Sequence, residues 1–282
     1  MLVLTTAQEL HKQISKIKGD TCSIGFVPTM GALHRGHLSL IEQSVKENDI
    51  TVCSIFVNPI QFNNQDDLAK YPRTLRKDLT LLKKASCDFV FVPSVEDIYP
   101  DNVLEHYSFG ALENVMEGVS RPGHFTGVAV VVKRLFNIVQ PNKAYFGKKD
   151  FQQLAIIREL VNIENLPVEI VACPIVRDHN GLAMSSRNQR LSPEERTIAS
   201  KVYRILKSTL QLFQHQTVYE TEQFVVSEIE KEDAIRLEYF KIVDKKTLQD
   251  DNDWNNPNGL IGCVAFWVGD VRLIDNIEFL IK

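Results

Sequence analysis

Two histidines lie three residues apart where the sequence changes from a strand pattern to a helix pattern. Ile24–Val27 is an apolar run typical of a short buried strand, and Pro28 is predicted to end it. His34 and His37 follow a short loop, and apolar residues recur after them at helical spacing. A helix start offers backbone N–H groups and a partial positive charge, and Gly36 keeps the backbone accessible. These residue types predict phosphate binding at this turn.

Two other interpretations of the histidine pair are open. The residues could be ordinary loop histidines close to a helix cap. They could also bind zinc, although no cysteine or third histidine stands nearby at ligand spacing. The glycine between the histidines, directly after a strand, favours phosphate chemistry.

A second polar group follows the next predicted strand, Thr51–Val57. Asn58 and Gln61 leave the carboxyl end of that strand. Their amides offer both donors and an acceptor, which suits a hydroxy acid that carries hydroxyls and a carboxylate. The same residues could instead cap a turn, so alone they are a weak indication of a site.

Glycine and cations stand together at another predicted turn from strand to helix, Gly147-Lys148-Lys149-Asp150. Lysine is a compact cation that suits triphosphate oxygens, and Asp150 could cap the helix or hold a ribose hydroxyl. Gln153 lies one helical turn further on. Without its context, this segment reads as an ordinary start of a surface helix.

A polar loop later in the chain carries two hydroxyls and a guanidinium in the string Met184-Ser185-Ser186-Arg187. Such groups can clamp transferring phosphates, because they place positive charge where the transition state accumulates negative charge. The alternative is a plain loop before a helix.

The predicted elements bring these segments to one edge of a sheet. Strands and helices alternate, which predicts an α/β domain with a Rossmann-like parallel sheet, whose ligands bind beyond the carboxyl ends of the strands. Asn63–Tyr71 is polar and is predicted to be a loop, with a possible role as a lid. The predicted strands are Ile24–Val27, Thr51–Val57, Asp88–Pro93, Lys143–Phe146 and Val168–Cys173, and the predicted helices are Thr6–Ile17, Thr74–Ser86, Val128–Val139 and one through Val161.

The C-terminal third has a different pattern and predicts a smaller α+β domain. Ser192 is a predicted helix cap, followed by Pro193 and Glu195, and two helices run to about Lys231. Two strands follow, Ile235–Val243 and Leu260–Val268. We therefore predict a catalytic domain over residues 1–176 and a lid domain over 177–282.

Composition excludes several classes of function. The 282 residues carry a formal charge of −4, which does not favour nucleic-acid binding. We see no apolar run long enough to span a bilayer and no signal-peptide pattern, so no membrane association is expected. The five cysteines are widely spaced and mostly lie in apolar runs, which predicts buried thiols in a reducing cytoplasm.

The combined motifs resemble a known family. His34-Arg35-Gly36-His37 is similar to the His-x-Gly-His signature of the nucleotidylyltransferase superfamily, and Pro-Thr-Met-Gly-Ala-Leu-His-Arg-Gly-His resembles the pantothenate synthetase (pantoate–β-alanine ligase) family. The chain also carries the strings Asn-Pro-Ile-Gln-Phe, Tyr-Pro-Arg-Thr, Arg-Pro-Gly-His-Phe-Thr-Gly-Val, Phe-Gly-Lys-Lys-Asp-Phe-Gln-Gln and Gly-Leu-Ala-Met-Ser-Ser-Arg-Asn in the family's order. The resemblance covers the whole length and is most specific before Leu191.

The resemblance implies an ATP-dependent joining of pantoate to β-alanine through pantoyl adenylate. It implies Mg²⁺ as a companion of ATP, with no dedicated metal site on the protein, and it implies a cytoplasmic homodimer. It makes His37 the proton donor, with His34, Lys149 and Arg187 as further catalytic residues. It assigns pantoate to Gln61 and Gln153, with Gln61 also meeting β-alanine and Asn58 assisting. The implied ATP-binding residues are Met30, Gly31, Ala32, Leu33, His34, Arg35, Gly36, His37, Gly147, Lys148, Lys149, Asp150, Val176, Met184, Ser185, Ser186 and Arg187.

The sequence departs from the family pattern at two places. Lys148 stands where the family usually has Glu or Gln, and Asn63–Asp67 lacks a common glycine. We also expect Glu117 and Arg121 to pair and support the pocket wall.

Three other functions compete. They are a different nucleotidylyltransferase of the same fold, a dinucleotide-binding oxidoreductase, and a non-catalytic nucleotide sensor. A dinucleotide-binding oxidoreductase would need Gly-x-Gly-x-x-Gly after the first strand, and this sequence does not have it. A non-catalytic sensor would not explain why the signature residues are all intact.

Overall fold

The computed structural model describes residues 1–17, 22–100 and 105–280. The chain forms two compact units, and each is discontinuous in sequence. The first unit comprises Met1–Phe109, Arg121–Lys148 and Gln153–Pro174. The second comprises Gly110–Ser120, Lys149–Gln152 and Ile175–Lys282.

A parallel sheet forms the centre of the first unit. The strands are β1 Leu2–Leu4, β2 Ile24–Thr29, β3 Ile50–Ile55, β4 Phe89–Phe91, β5 Lys143–Gly147 and β6 Glu169–Cys173. Their order in the sheet is β1-β4-β3-β2-β5-β6, and every neighbouring pair is parallel. All six positions of β3 are buried, as expected for an inner strand covered on both faces.

Helices connect these strands, as the alternating pattern predicted. Thr6 and Glu9 form the expected reciprocal hydrogen bonds at the first helix start. The helices are α1 Ala7–Ile17, α2 Arg35–Glu47, α3 Gln65–Lys70, α4 Leu75–Lys84, α5 Val95–Ile98, α6 Glu117–Ser120, α7 His124–Val139 and α8 Phe151–Glu164, of which α6 and the first two residues of α8 belong to the second unit.

Pro28 does not end its strand, so this prediction was wrong. Strand β2 continues to Thr29 and pairs with β3 throughout, whereas its pairing with β5 stops at Phe26. The Thr29 carbonyl accepts a hydrogen bond from Phe56 N, so it points towards the β3 side of the strand. Because adjacent residues of a strand face opposite neighbours, the Pro28 nitrogen faces the unpaired side. The missing N–H therefore removes no ladder hydrogen bond.

The segment Asn63–Tyr71 is not the continuous loop that was predicted, because α3 forms within it. The Asn64 side chain accepts hydrogen bonds from the backbone N–H groups of Asp66 and Asp67. These carboxylates stand in the first turn and Lys70 in the last, which complements the helix dipole. The capping hydrogen bonds and the favourable charges thus stabilise a short helix in a segment whose polar composition predicted a loop.

The second unit contains an antiparallel sheet of three strands and two long helices. These elements are α9 Pro193–Leu212, α10 Val218–Glu230, β7 Ile235–Asp244, β8 Leu260–Val268 and β9 Val271–Phe279, and the strand order is β7-β8-β9. Ser192 and Glu195 form the predicted capping box. Strand β9 was not predicted, because Asp275 and Asn276 interrupt its apolar pattern.

The cysteines agree with the sequence interpretation. Each of the five is a thiol, and four are buried, with Cys22 half-buried. In the part of the chain that the structure describes, no helix combines the length and apolarity needed to cross a membrane.

Candidate active site

The sheet topology gathers three of the predicted segments. Strand order reverses between β2 and β5, which makes this the switch point where ligands bind in open α/β sheets. The loop from Met30 follows β2, Asn58–Gln61 follows β3, and Gly147 ends β5. Because all three strands are parallel, their carboxyl ends share one edge. The prediction that these three segments lie together at the carboxyl edge of the sheet is confirmed.

The loop after β2 has an unusual backbone. Gly31 and Ala32 both have positive φ, 78° and 50°, and the second is strained for a residue with a side chain. The Asp78 carboxylate accepts hydrogen bonds from Ala32 N at 3.0 Å and Leu33 N at 2.8 Å. Asp78 is only 1% exposed and also accepts from the Thr74 hydroxyl. This carboxylate therefore fixes the loop.

Sequence reasoning missed Asp78. Thr74, which stands four residues before it, ends the Tyr-Pro-Arg-Thr string, and the carboxylate lies in the first turn of α4. An acid among the first residues of a helix normally reads as a solvated partner of the helix dipole. Its burial and its partner loop become visible only in the fold.

His34 and His37 form the start of α2. His34 is the N-cap residue, and its Nδ1 accepts from Gly36 N at 3.1 Å. His37 Nδ1 accepts from His34 N at 3.4 Å, and the ring centroids are 4.0 Å apart. Since both Nδ1 atoms accept, each neutral ring carries its proton on Nε2. The capping interpretation is thus observed, and both cap hydrogen bonds are accepted by Nδ1 atoms.

Asn58 and Gln61 form one hydrogen-bonded group. Tyr99 donates to Asn58 Oδ1 at 2.7 Å, and Asn58 Nδ2 donates to Gln61 Oε1 and to the Gly127 carbonyl, both at 3.1 Å. The Gln61 Nε2 lies 3.2 Å from Met30 Sδ. Asn58 is 1% exposed, so its side chain is turned into the protein. It fixes which end of the Gln61 amide acts as the donor.

Helix α7 supports the same turn. The His124 ring donates from Nδ1 to the Gln61 carbonyl at 2.8 Å. A Cβ at Gly127 would lie 2.7 Å from the Ile60 carbonyl oxygen, so glycine permits the close approach of helix and turn. Gln61 is therefore held through its backbone and its side chain.

The turn after β5 carries the predicted cations. Lys148–Asp150 form a 3-10 turn, and Lys149 Nζ lies 3.7 Å from Asp150 Oδ1. The Lys149 carbonyl accepts from Asn276 Nδ2 at 3.0 Å. The Lys149 side chain is 16% exposed and that of Asp150 is 50% exposed, and the role of this segment in phosphate binding stays a prediction.

The neighbouring glutamines differ in their surroundings. Gln152 is buried, donates to the Leu112 and Val115 carbonyls at 2.8 and 2.9 Å, and accepts from Glu117 N at 3.0 Å. Gln153 is half-buried. Gln152 therefore has an evident structural role, whereas the pantoate role of Gln153 stays a prediction.

Val176 and Met184 are brought together by a short hairpin. Met184 N donates to the Val176 carbonyl at 3.0 Å, and Arg177 and Ala183 form an antiparallel bridge. The Ser185 hydroxyl then caps the 3-10 turn that follows and accepts from the Arg187 backbone. The segments on either side of residues 177–183 thus form one local structure, and Ser186 within it is buried.

Glu117 is buried and belongs to a partly exposed ion-pair network of the second unit. The Arg272 guanidinium donates to both carboxylate oxygens of Glu117 at 2.8 and 2.7 Å, and also to Glu238 at 2.9 and 2.8 Å. Tyr239 donates to Glu117 at 2.8 Å. The structure places Arg272 at this carboxylate, and the expected pair with Arg121 stays a prediction.

The network shifts proton affinities. The Arg272 hydrogen bonds lower the pKa of Glu238 to about 2, against the opposing effect of burial. Burial, reinforced by the Glu117 charge, raises the pKa of Tyr239 far above its usual range. Glu238 is therefore ionised and the Tyr239 phenol is neutral at ordinary pH.

The fold and the helix start at its switch point define a Rossmann-like α/β enzyme of the nucleotidylyltransferase type. The sequence model described as Pantoate-beta-alanine ligase matches residues 2–278. The chain belongs to this family. It is an ATP-dependent ligase that joins pantoate to β-alanine.

Individual relatives agree over the full length. The pantothenate synthetase of Bacteroides fragilis is 50% identical over 279 residues, covering 99% of each chain. A crystal structure of pantothenate synthetase from Thermus thermophilus has a TM-score of 0.91 and 43% identity, covering 99% of each chain. The pantoate-beta-alanine ligase of Francisella tularensis, complexed with beta-gamma ATP and beta-alanine, has a TM-score of 0.81 and 38% identity, covering 99% of this chain and 97% of that one.

Proposed function

We propose that the ligation proceeds in two steps through pantoyl adenylate. A pantoate carboxylate oxygen attacks the α-phosphorus of ATP, and the bond to the β-phosphate oxygen breaks to release pyrophosphate. The amine of β-alanine then attacks the acyl carbon, and the bond to AMP breaks. The observation that carries this proposal is the pair of imidazoles at the start of α2, directly at the switch point of the sheet.

The first step needs charge neutralisation more than a base. A carboxylic acid of pKa about 4 is already ionised at neutral pH. The Nε2–H groups of His34 and His37 suit phosphate oxygens, and the helix start adds partial positive charge. We assign His37 the role of proton donor. The remaining proposed phosphate ligands are Lys149, Ser185, Ser186 and Arg187.

The other ATP-site assignments come from the family resemblance and are part of the proposal. The backbone of Met30–Leu33, held by Asp78, is the proposed seat of the nucleotide together with Arg35 and Gly36. Gly147, Lys148, Asp150, Val176 and Met184 complete the set. Gly147 ends β5 beside β2, which supports its place here.

Pantoate binding is assigned to Gln61 and Gln153. The Gln61 amide has its oxygen hydrogen-bonded to Asn58, so its N–H₂ end is the one that can meet a carboxylate or hydroxyl. Asn58 contributes by orienting Gln61. We assign Gln61 a further contact with β-alanine in the second step.

The second step begins with a protonated amine. β-Alanine must lose a proton before its nitrogen can attack, so this step follows pyrophosphate release. The mixed anhydride is labile in water, and excluding solvent protects it. The division into a catalytic domain 1–176 and a lid domain 177–282 stays a prediction.

Mg²⁺ is part of the proposal as a companion of ATP. When bound, it neutralises charge on the phosphates. Among residues 1–17, 22–100 and 105–280, no cluster of three His, Cys, Asp or Glu side chains could hold a metal alone. A Mg²⁺ ion that accompanies ATP is usually held by substrate phosphates and water with one or two carboxylates. We further propose a homodimer in the cytoplasm, where buried thiols stay reduced.

The test is product formation by the purified protein. With ATP, Mg²⁺, pantoate and β-alanine, we expect equal amounts of AMP and pantothenate, and neither should form when one substrate is omitted. Transfer of the nucleotide to a phosphate-bearing acceptor would favour a different nucleotidylyltransferase. AMP formation without pantothenate would contradict the proposal. Light scattering of the same preparation tests the dimer.

A further inference from the structure

Strand β9 carries two adjacent polar residues in a buried position. Asp275 is 6% and Asn276 4% exposed, although β9 belongs to the three-stranded sheet that helps form the second unit's core. Burying a charge and an amide is costly unless both are hydrogen-bonded. Their partners therefore indicate why polar residues occupy these positions.

Asp275 binds one arginine with two parallel hydrogen bonds. Arg177 Nη1 lies 2.5 Å from Asp275 Oδ2, and Nη2 lies 2.9 Å from Oδ1. The same guanidinium donates to the Gly181 carbonyl at 3.2 Å and lies 3.6 Å from the centre of the Tyr203 ring. Hydrogen bonds to Asp275 along the edge of the planar guanidinium and the Tyr203 ring against its face restrict the conformations of the Arg177 side chain. Arg177 is thus fixed to β9 and α9.

Fixing Arg177 also fixes the hairpin that contains it. Arg177 directly follows Val176, and its bridge to Ala183 precedes Met184. The Val176–Met184 hydrogen bond closes the hairpin. The proposed nucleotide ligands on both sides of the hairpin therefore take their position from Asp275.

Asn276 reaches a second proposed phosphate-binding segment. Its Nδ2 donates to the Lys149 carbonyl at 3.0 Å. Burial raises the pKa of the Asp275 carboxyl, and the hydrogen bonds and charge of Arg177 oppose that rise more strongly than the charge of Lys149 does. Two neighbouring residues of one strand are thus linked to two segments that are far apart in sequence.

We infer that Asp275 and Asn276 are positioning residues for the ligase: they set the places of Lys149 and of the hairpin that leads into Met184–Arg187. This inference rests on the proposed function, because it takes those segments as the ligands of the ATP phosphates. Neither residue needs to touch a substrate. Substituting either residue should therefore lower kcat/KM for ATP and leave the binding of pantoate at Gln61 largely unchanged.

The test compares Asn276→Leu, which removes the donor to Lys149, with Thr221→Val. Thr221 is fully buried in α10, and its hydroxyl donates to the Thr217 carbonyl, so the control also loses a buried hydrogen bond. We expect Asn276→Leu to lower kcat/KM for ATP by roughly 10- to 100-fold, as for a binding group displaced by up to an ångström. The KM for pantoate should change less than about twofold, and the Tm should match the control.

A second variant keeps the inference testable if Asn276→Leu does not fold. Arg177→Lys keeps the charge but cannot bind Asp275 with two hydrogen bonds, and it should show the same loss for ATP. Equal losses for ATP and pantoate, or a loss no larger than that of Thr221→Val, would overturn the inference.

Calorimetric titration with ATP separates this inference from the proposed function. If the wild type binds ATP but makes no pantothenate, the proposed function fails, and roughly tenfold weaker ATP binding by Asn276→Leu than by Thr221→Val still supports the positioning role. If the wild type does not bind ATP, both fail. If it makes pantothenate and the variants match the control, only the positioning role is wrong.

Discussion

Asp78 and Leu33 are 45 residues apart in sequence, and the carboxylate of the first accepts a 2.8 Å hydrogen bond from the backbone of the second. Through this bond and the one from Ala32, helix α4 holds the loop that leads into the histidine pair. The loop has a positive φ at Ala32, so it requires such support. The proposed nucleotide seat is therefore set by a residue that is itself buried.

The first prediction concerns this support. Asp78→Ala removes the acceptor of the buried Leu33 N–H, and we expect unfolding in urea to become easier by roughly 1–3 kcal/mol. The KM for ATP should also rise, since the loop relaxes. Thr74→Val is the matched control, because it removes only the hydroxyl bond to Asp78 and leaves both backbone bonds in place. Equal effects of the two variants would show that the backbone bonds do not matter.

The second prediction concerns His37. We expect His37→Ala to slow adenylate formation by roughly 10²–10³, the usual loss for one well-placed transition-state contact. The fold should persist, because the ring is half-buried and its cap hydrogen bond from His34 N is long, at 3.4 Å. Rapid-quench measurement of the first turnover checks this. His11→Ala, an exposed histidine on α1, serves as the control, and a His37→Ala rate equal to that control would refute the assignment.

The third prediction uses two neighbouring glutamines. Gln153→Ala should weaken pantoate binding far more than ATP binding, with little change in stability. Gln152→Ala removes three hydrogen bonds to the segment 112–117, so we expect it chiefly to lower the free energy of unfolding. Calorimetric titrations and urea unfolding of both variants measure the difference. Equal weakening of ATP and pantoate by Gln153→Ala would mean that this residue is misassigned.

The fourth prediction concerns acid stability. The Arg272 hydrogen bonds lower the pKa of Glu238 to about 2, below its ordinary 4.5. The folded protein therefore binds this proton more weakly than the unfolded chain does. The stabilising contribution is complete above about pH 4.5 and disappears as the pH falls towards 2. Glu238→Gln should cost about 1 kcal/mol at neutral pH, because solvent screens a partly exposed pair.

Urea unfolding at several pH values checks this. The difference between wild type and Glu238→Gln should shrink as the pH falls below about 4.5. The exposed Glu230→Gln is the control and should show no such trend. A difference for Glu238→Gln that stays constant down to pH 3 would contradict the assigned role of Arg272.

The sequence pattern predicted those elements whose signals lie within a few neighbouring residues. The strand and helix around the histidines, the capping box at Ser192 and the buried helix α7 were all expected, because apolar period and caps lie within a few residues of one another. The loop after β2, the Asn58–Gln61 turn after β3 and Gly147 at the end of β5 also lie at the predicted edge of the sheet.

The missed features depend on partners that are distant in sequence. The edge strand Leu2–Leu4 is short and half-exposed, and it exists because Phe89–Phe91 pairs with it. Asp275 and Asn276 interrupt the apolar pattern of strand β9. Asp275 is bound by Arg177, and Asn276 donates to the Lys149 carbonyl. No window of neighbouring residues contains that information.

In the proposed mechanism, pantoate is activated as an adenylate before β-alanine reacts. The most direct measurement is the exchange of labelled pyrophosphate into ATP, with pantoate and Mg²⁺ present and β-alanine absent. We expect exchange under these conditions and none without pantoate, because the first step is reversible and does not need β-alanine. Exchange that appears only after β-alanine is added would contradict the adenylate mechanism for this protein.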